Sequence, residues 1–112
     1  MSLTITVETS VVCSVITAHQ ATGHRFEVDA DACLPTIRCW DFGGVEIIAQ
    51  SPQEIDVAAS MASERPESIT VHVPAPLMAT AHAALRSHDE RVRIQPYWEV
   101  DGQLRFGAAE VA

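Results

Sequence analysis

Residues 91–107, RVRIQPYWEVDGQLRFG, contain the most specific structural signal in this 112-residue chain. Asp101-Gly102 is a favoured residue pair for a two-residue type I′ turn, so the segments on either side should fold back as antiparallel strands. Counting outward from the turn gives four facing pairs: Val100 with Gln103, Glu99 with Leu104, Trp98 with Arg105, and Tyr97 with Phe106. The stretch therefore predicts a C-terminal β-hairpin.

Both faces of this hairpin are apolar. One face carries Val92, Ile94, Trp98 and Val100, and the other carries Tyr97, Leu104 and Phe106. A sheet backed by solvent needs only one apolar face, so the second face must meet a helix, a second sheet or another chain, unless Pro96 introduces a bulge. Burying one such side chain is worth about 1.5–3 kcal/mol. We therefore expect the face of Tyr97, Leu104 and Phe106 to form the interface of a two-fold homodimer.

Two helices are predicted in the second half of the chain. Ser51 is a good N-cap, Pro52 suits the first helical position and Glu54 completes a capping box, so a helix should follow to about Glu64. Its buried stripe would consist of Ile55, Ala58, Ala59 and Ala62. A second helix should begin near Pro76, with an apolar seam formed by Met78, Ala81 and Leu85.

Strands are predicted wherever apolar and polar residues alternate. This pattern occurs at residues 3–8, 24–30, 45–50 and 68–73. Residues 9–22 are ambiguous, because Val11, Val12, Val15 and Ile16 recur at helical spacing and Gly23 could end a helix. Their β-branched side chains favour a strand, so the strand interpretation is preferred, and the helix stays open as the alternative.

The order of these elements predicts an α+β fold of one compact domain, residues 1–112. We expect a mainly antiparallel sheet of five to six strands, with two helices packed on one face and the hairpin at the C-terminus. A hydrophobic content of 47% is sufficient for a real core.

Composition excludes several classes of function. A net charge of −8 repels the phosphate backbone, so direct binding to nucleic acid is not expected. The sequence contains no apolar run long enough for a membrane span and no signal peptide, which predicts a cytoplasmic protein. Three cysteines without a sign of secretion predict free thiols. The chain has neither Lys nor Asn. The codons of both residues are AT-rich, so their absence indicates a GC-rich genome and a bacterial or phage origin.

Candidate catalytic and metal sites in the sequence are weak. Residues 39–44, CWDFGG, include the Asp-Phe-Gly tripeptide of protein kinases, but the chain has no lysine and no glycine-rich phosphate loop. This stretch is interpreted as a turn between strands. His19, His24, Cys33 and Cys39 are zinc-ligand types, yet their spacing does not form the close pairs of structural zinc sites. His72, His82 and His88 are expected near the surface. No metal or cofactor is expected.

An acidic row is predicted on the strand at residues 24–30. Glu27, Asp29 and Asp31 should point away from the face of Phe26, with neighbours about 6.6 Å apart. As a structural feature, the row is an ordinary solvated strand face, which also discourages edge aggregation. As a functional feature, it would be a recognition surface for an arginine-rich partner.

These features predict a small, acidic, non-catalytic protein-interaction domain, of the adaptor, inhibitor or immunity type. It would self-associate or dock on a basic protein partner through Glu27, Asp29, Asp31, Tyr97, Leu104 and Phe106. The alternative is a small enzyme or ligand-binding domain with a pocket near Cys39-Trp40-Asp41. A cleft that joins a thiol or a carboxylate to a histidine would favour the alternative.

Overall fold

The computed structural model describes residues 7–29, 32–39, 43–86 and 91–112. Its elements, in chain order, are α1 (Val7–Thr22), β1 (Phe26–Asp29), β2 (Thr36–Cys39), β3 (Gly44–Ile48), α2 (Pro52–Ser63), β4 (Ser68–Pro74), a short 3₁₀ helix (Ala75–Leu77), α3 (Met78–Leu85), β5 (Val92–Val100), β6 (Gln103–Phe106) and β7 (Glu110–Val111). Residues 3–6 of the predicted N-terminal strand lie outside the described residues, and the last two residues of that strand belong to α1.

The strands form one mixed sheet in the order β1-β2-β3-β4-β5-β6, with β7 also pairing with β5. β3, β4 and β5 are parallel to one another, whereas the remaining pairs are antiparallel. The prediction of a mainly antiparallel sheet is therefore wrong. α2 connects β3 to β4 and α3 connects β4 to β5, and a helical crossover of this kind returns the chain to the same end of the sheet.

Residues 9–22 belong to helix α1, so the strand interpretation of this segment is wrong. Val11 and Val15 are buried at helical spacing, and Val12 and Ile16 pack beside them. Helix propensities differ by only about 0.7 kcal/mol among ordinary residues, which is less than the burial of one valine contributes. Packing of this apolar stripe on the sheet therefore outweighs the strand preference of its β-branched residues.

The core has two parts, one on each face of the sheet. On one face, α2 and α3 contribute Ile55, Ala58, Ala62, Ala81 and Leu85, which cluster with side chains of β3, β4 and β5. On the other face, Val11 and Val15 of α1 cluster with Ile37, Ile48 and Tyr97. The described part of the chain thus has three α-helices, and two of them, α2 and α3, lie on the face that does not carry α1.

The turn between β5 and β6 has the backbone geometry that its sequence favours. Asp101 and Gly102 have φ angles of 50° and 76°, and a type I′ turn requires positive φ at both central positions. The register of the two strands is Val100 opposite Gln103, Glu99 opposite Leu104, Trp98 opposite Arg105, and Tyr97 opposite Phe106.

Helix α2 begins with a side-chain cap. The Ser51 hydroxyl accepts a hydrogen bond from the backbone N–H of Glu54 at 3.1 Å, and the Glu54 carboxylate accepts one from the N–H of Gln50 at 3.0 Å. Both bonds satisfy backbone donors near the start of the helix. In the described part of the chain, no helix combines the length and the apolar character needed to cross a membrane.

Candidate functional site

His72 is the most deeply buried ionisable side chain among the described core residues, with 1% of its surface exposed. It lies on β4 between Val71 and Val73, which face α2 and α3, so strand alternation points His72 toward the face of α1. The expectation that His72 lies near the surface is wrong, because α1 covers this face and solvent does not reach the ring.

Glu46 on β3 holds the His72 ring from one side. The Nε2 atom of His72 lies 2.9 Å from Oε1 of Glu46. In the tautomer with the hydrogen on Nε2, this nitrogen donates to the Glu46 carboxylate and Nδ1 is an acceptor. Nδ1 of His72 is buried and has no hydrogen-bond partner in the described part of the chain.

Phe106 fixes the ring from a second direction. Its ring centroid is 5.7 Å from that of His72, and the two planes meet edge-on at 78°. Tyr97 supports Phe106 in turn, with 6.2 Å between their ring centroids. Edge-on aromatic contacts of this kind have a preferred geometry, so the imidazole is held in a defined orientation.

A cavity of about 300 Å³ lies over this group, between α1 and the sheet. We call it the α1 cavity; its lining residues are Ser14, Val15, Ala18, Glu46, His72, Gln95 and Phe106. Gln95 faces His72 in the register of β4 and β5, and its Nε2 donates to the carbonyl of Gly107 at 2.9 Å. The α1 cavity therefore joins a carboxylate, an imidazole, an amide and the serine of α1 with three apolar side chains.

This arrangement can accept a hydrogen from a bound molecule. A histidine that is oriented by a carboxylate through one nitrogen, keeps the other nitrogen without a partner and lines a cavity is a candidate general base or ligand anchor. It is not a metal centre of the usual kind, since the described residues contain no group of three or more His, Cys, Asp or Glu side chains that could hold an ion.

The predicted acidic row is not part of the α1 cavity. Glu27 is exposed, and a carboxylate oxygen of Asp29 lies 3.9 Å from Nη2 of Arg65. Asp31 lies outside the described residues. The row therefore remains a prediction for partner binding, with one of its carboxylates beside a cation of the same chain.

The hairpin face expected to form a homodimer is covered within the chain. Tyr97 is only 3% exposed, and Leu104 and Phe106 are partly buried in the same cluster as Val11 and Val15 of α1. The homodimer prediction depended on this face being uncovered, because only two helices were expected. The third helix covers part of this face within the chain, and self-association through Leu104 and Phe106 stays a prediction.

The predicted pocket at Cys39-Trp40-Asp41 can be described only in part, because Trp40 and Asp41 lie outside the described residues. Cys39 is buried, and it borders a depression of about 540 Å³ together with Glu46, Thr70 and Arg93. Cys13, Cys33 and Cys39 are all free thiols, and the first two are exposed.

The sequence analysis missed Glu46, His72 and Gln95 as a group. Each is a polar residue within an apolar strand segment, which on a one-sided sheet would mark the solvent face. Three parallel strands joined by helices are normally covered on both faces, so recognising the parallel order would have placed these residues inside. Buried polar groups then need partners, and this would have pointed to the pair of Glu46 and His72.

Comparisons of the chain with protein-family models, with curated proteins and with solved structures find no match. The geometry of the described residues is therefore what supports a function. Within that geometry, the α1 cavity combines a buried unpartnered nitrogen with a carboxylate that orients it.

Proposed function

We propose that this chain is a small-ligand-binding domain and that the α1 cavity is its binding site. The observation that carries the proposal is the buried Nδ1 atom of His72, which has no hydrogen-bond partner among the described residues, in a side chain that lines the α1 cavity. An unsatisfied buried polar atom costs about 1–3 kcal/mol. A ligand that donates a hydrogen bond to Nδ1 would recover this free energy on binding.

The cavity defines the chemical class of the ligand. Its volume of about 300 Å³ is at the low end for ligand pockets, so the ligand is compact. The ligand needs an N–H or O–H group for Nδ1 of His72, and an apolar or aromatic face for Val15, Ala18 and Phe106. The Glu46 carboxylate and the net charge of −8 favour a neutral or cationic molecule over an anion.

This function belongs to the class that the sequence analysis gave as the alternative, at a different place in the fold. The alternative placed the pocket at Cys39-Trp40-Asp41, whereas the α1 cavity has its polar wall on β3, β4 and β5. A pair of a carboxylate and a histidine, the feature that favours the alternative, is present at Glu46 and His72.

Matched pairs of small probes test the proposal. Phenol and benzylamine each offer a donor on an aromatic ring, whereas anisole and benzyltrimethylammonium have similar shapes without that donor. The ¹⁵N chemical shifts of the His72 imidazole are measured while each probe is titrated into ¹⁵N-labelled protein. We expect phenol or benzylamine to shift the Nδ1 signal in a saturable manner, and the methylated probes to have little effect.

A second histidine provides a matched control variant. Nε2 of His82 lies 3.6 Å from a carboxylate oxygen of Glu110, so this pair resembles His72 and Glu46 but lies at the surface. Because His72→Gln removes the imidazole signal itself, the variants are compared through the backbone amide signals of Val15, Gln95 and Phe106, which line the α1 cavity. We expect His72→Gln to abolish the shifts of these signals on titration of the donor probes and His82→Gln to preserve them. Equal responses to phenol and anisole, or no saturable response at millimolar probe, would contradict the proposal.

A further inference from the structure

The hairpin of β5 and β6 extends past the end of its neighbour β4. β4 pairs with β5 from Ile69 opposite Val92 to Pro74 opposite Tyr97, and β5 then continues to Val100. On its other side, the end of β5 is paired with β6. Within the described residues, no strand pairs with 98–100 on the side of β4.

Two prolines explain why β4 stops there. Pro74 is the last residue of β4, and Pro76 follows within the short 3₁₀ helix that leads into α3. Proline has no backbone N–H and cannot donate to a sheet ladder, so the chain leaves the sheet at this point. These two prolines therefore explain why β4 does not pair with β5 at residues 98–100.

A groove of about 410 Å³ lies at this open edge. We call it the edge groove; Gln50, Pro74 and Pro76 form part of its lining, together with Trp98 and Glu99 of β5. It is located just beyond the carboxyl ends of β3 and β4, where ligands commonly bind to sheets with parallel strands. The Nε2 atom of Gln50 is buried and lacks a hydrogen-bond partner in the part of the chain that the structure describes.

The side chains along this edge differ between the two faces. Trp98 and Val100 point to one face and are 41% and 44% exposed, which makes them the most exposed large apolar residues of the hairpin. Glu99 points to the other face and is exposed, and Asp101 is exposed at the adjacent turn. Arg105 lies opposite Trp98 in the register of the hairpin. Its side chain is therefore on the face of Trp98 and Val100, and not on the face of Glu99.

We propose that an extended peptide binds in the edge groove by adding a strand to β5 at residues 98–100. An unpaired strand edge offers backbone donors and acceptors to such a peptide, and the peptide side chains then alternate between the two faces. The residue opposite Glu99 is Lys or Arg, and the residues on either side of it are apolar and lie against Trp98 and Val100. The amide of Gln50 donates to a carbonyl of the peptide.

Charge complementarity selects this occupant over a second copy of the chain. A basic residue in the peptide is attracted by Glu99, by Asp101 and by the net charge of −8, whereas two copies would bring these like charges together. The edge groove shares no lining residue with the α1 cavity. The peptide site is therefore separate from the small-ligand site, and either proposal can fail without the other.

Three synthetic peptides, capped at both ends, provide the probes. The first is Thr-Val-Arg-Val-Thr, the second has Glu in place of Arg, and the third keeps the side chains of the first but carries N-methyl groups on alternate backbone nitrogens. The measurement is the amide chemical shifts of the protein during titration. We expect the first peptide to shift the signals of Trp98, Glu99 and Val100, and the other two to bind weakly or not at all.

Charge reversal at two exposed glutamates separates the edge groove from general electrostatic attraction. Glu99→Lys should weaken binding of the first peptide by roughly fivefold, the order expected for one exposed ion pair changed to a like-charge contact. Glu64→Lys makes the same charge change at an exposed residue that ends α2, outside the edge groove and the acidic row, and should leave the affinity nearly unchanged.

Several outcomes would overturn the inference. They are equal binding of the N-methylated peptide, equal weakening by the two charge reversals, shifts located at β1 instead of β5, and absence of binding at millimolar peptide. Sedimentation of the protein alone as a dimer that Trp98→Glu dissociates would assign the edge groove to a second copy and would also overturn the inference. Residues 98–100 are exposed, so substitutions there should leave the protein folded. The amide spectrum of each variant verifies this.

Discussion

Nε2 of His72 on β4 lies 2.9 Å from Oε1 of Glu46 on β3, although the residue directly opposite His72 in the sheet is Ile48. Glu46 precedes Ile48 by two positions, so it lies on the same face and reaches His72 diagonally. The pairing register of β3 and β4 therefore determines whether the hydrogen bond between Glu46 and His72 can form. A shift of one residue would move His72 to the face of α2 and α3, where the cluster is apolar.

Removing the carboxylate should destabilise the fold. Glu46→Ala leaves Nε2 of the buried imidazole without its acceptor, and we expect the free energy of unfolding to fall by about 1–3 kcal/mol. Urea unfolding followed by circular dichroism measures the change. Glu110→Ala removes the acceptor at 3.6 Å from His82 at the surface and should change the stability by less than about 0.5 kcal/mol. Similar effects of the two substitutions would contradict the buried pair.

Helix α1 should depend on the valines that face the sheet. Val11 is fully buried, and Val11→Ala removes apolar contacts with the cluster around Ile37 and Tyr97, which should lower the stability by about 1–3 kcal/mol. Cys13 is exposed on the same helix, so Cys13→Ala serves as the control. Comparison of their denaturation midpoints tests the placement of α1, and equal midpoints would mean that Val11 does not face the sheet.

A charge at Phe106 should lower the folding stability of the chain itself, and not only weaken an association between copies. Phe106 contacts the rings of His72 and Tyr97, so Phe106→Glu places a carboxylate in the apolar cluster and should destabilise the chain by about 2 kcal/mol or more. Gln103→Glu adds the same charge at an exposed position of β6 and should have little effect. Thermal unfolding compares the two. A Phe106→Glu variant as stable as the wild type would show that this face is open, as the homodimer prediction requires.

Gly107 should not accept a side chain. A Cβ atom at this position would lie 2.8 Å from Cγ of Pro96 and 3.2 Å from Cζ3 of Trp98. Because the proline ring is rigid, we expect Gly107→Ala to cost about 1–3 kcal/mol and to alter the fluorescence of Trp98. At Gly44 the nearest atom to a Cβ would be the carbonyl oxygen of Ser68 at 3.4 Å. Gly44→Ala is the control, and an equal or larger cost there would contradict the prediction.

The sequence by itself determined the features that depend on a few neighbouring residues. Asp101 and Gly102 adopt positive φ because aspartate tolerates this conformation better than most residues and glycine has no Cβ atom. Ser51 caps α2 because its hydroxyl reaches the N–H of Glu54. The alternation of Ile69, Val71 and Val73 likewise places all three in the core. Each signal acts over four or five residues, so no knowledge of distant segments is needed to interpret it.

Only the tertiary structure decided which segments cover each face of the sheet. Residues 9–22 have a local preference for strand, but burial of Val11 and Val15 on the sheet is worth more than that preference, and the segment is a helix. Once α1 occupies that face, Tyr97 is covered and His72 is buried beside Glu46. The α1 cavity is therefore formed by residues from five separate elements, and their proximity follows from long-range packing that no local pattern in the sequence specifies.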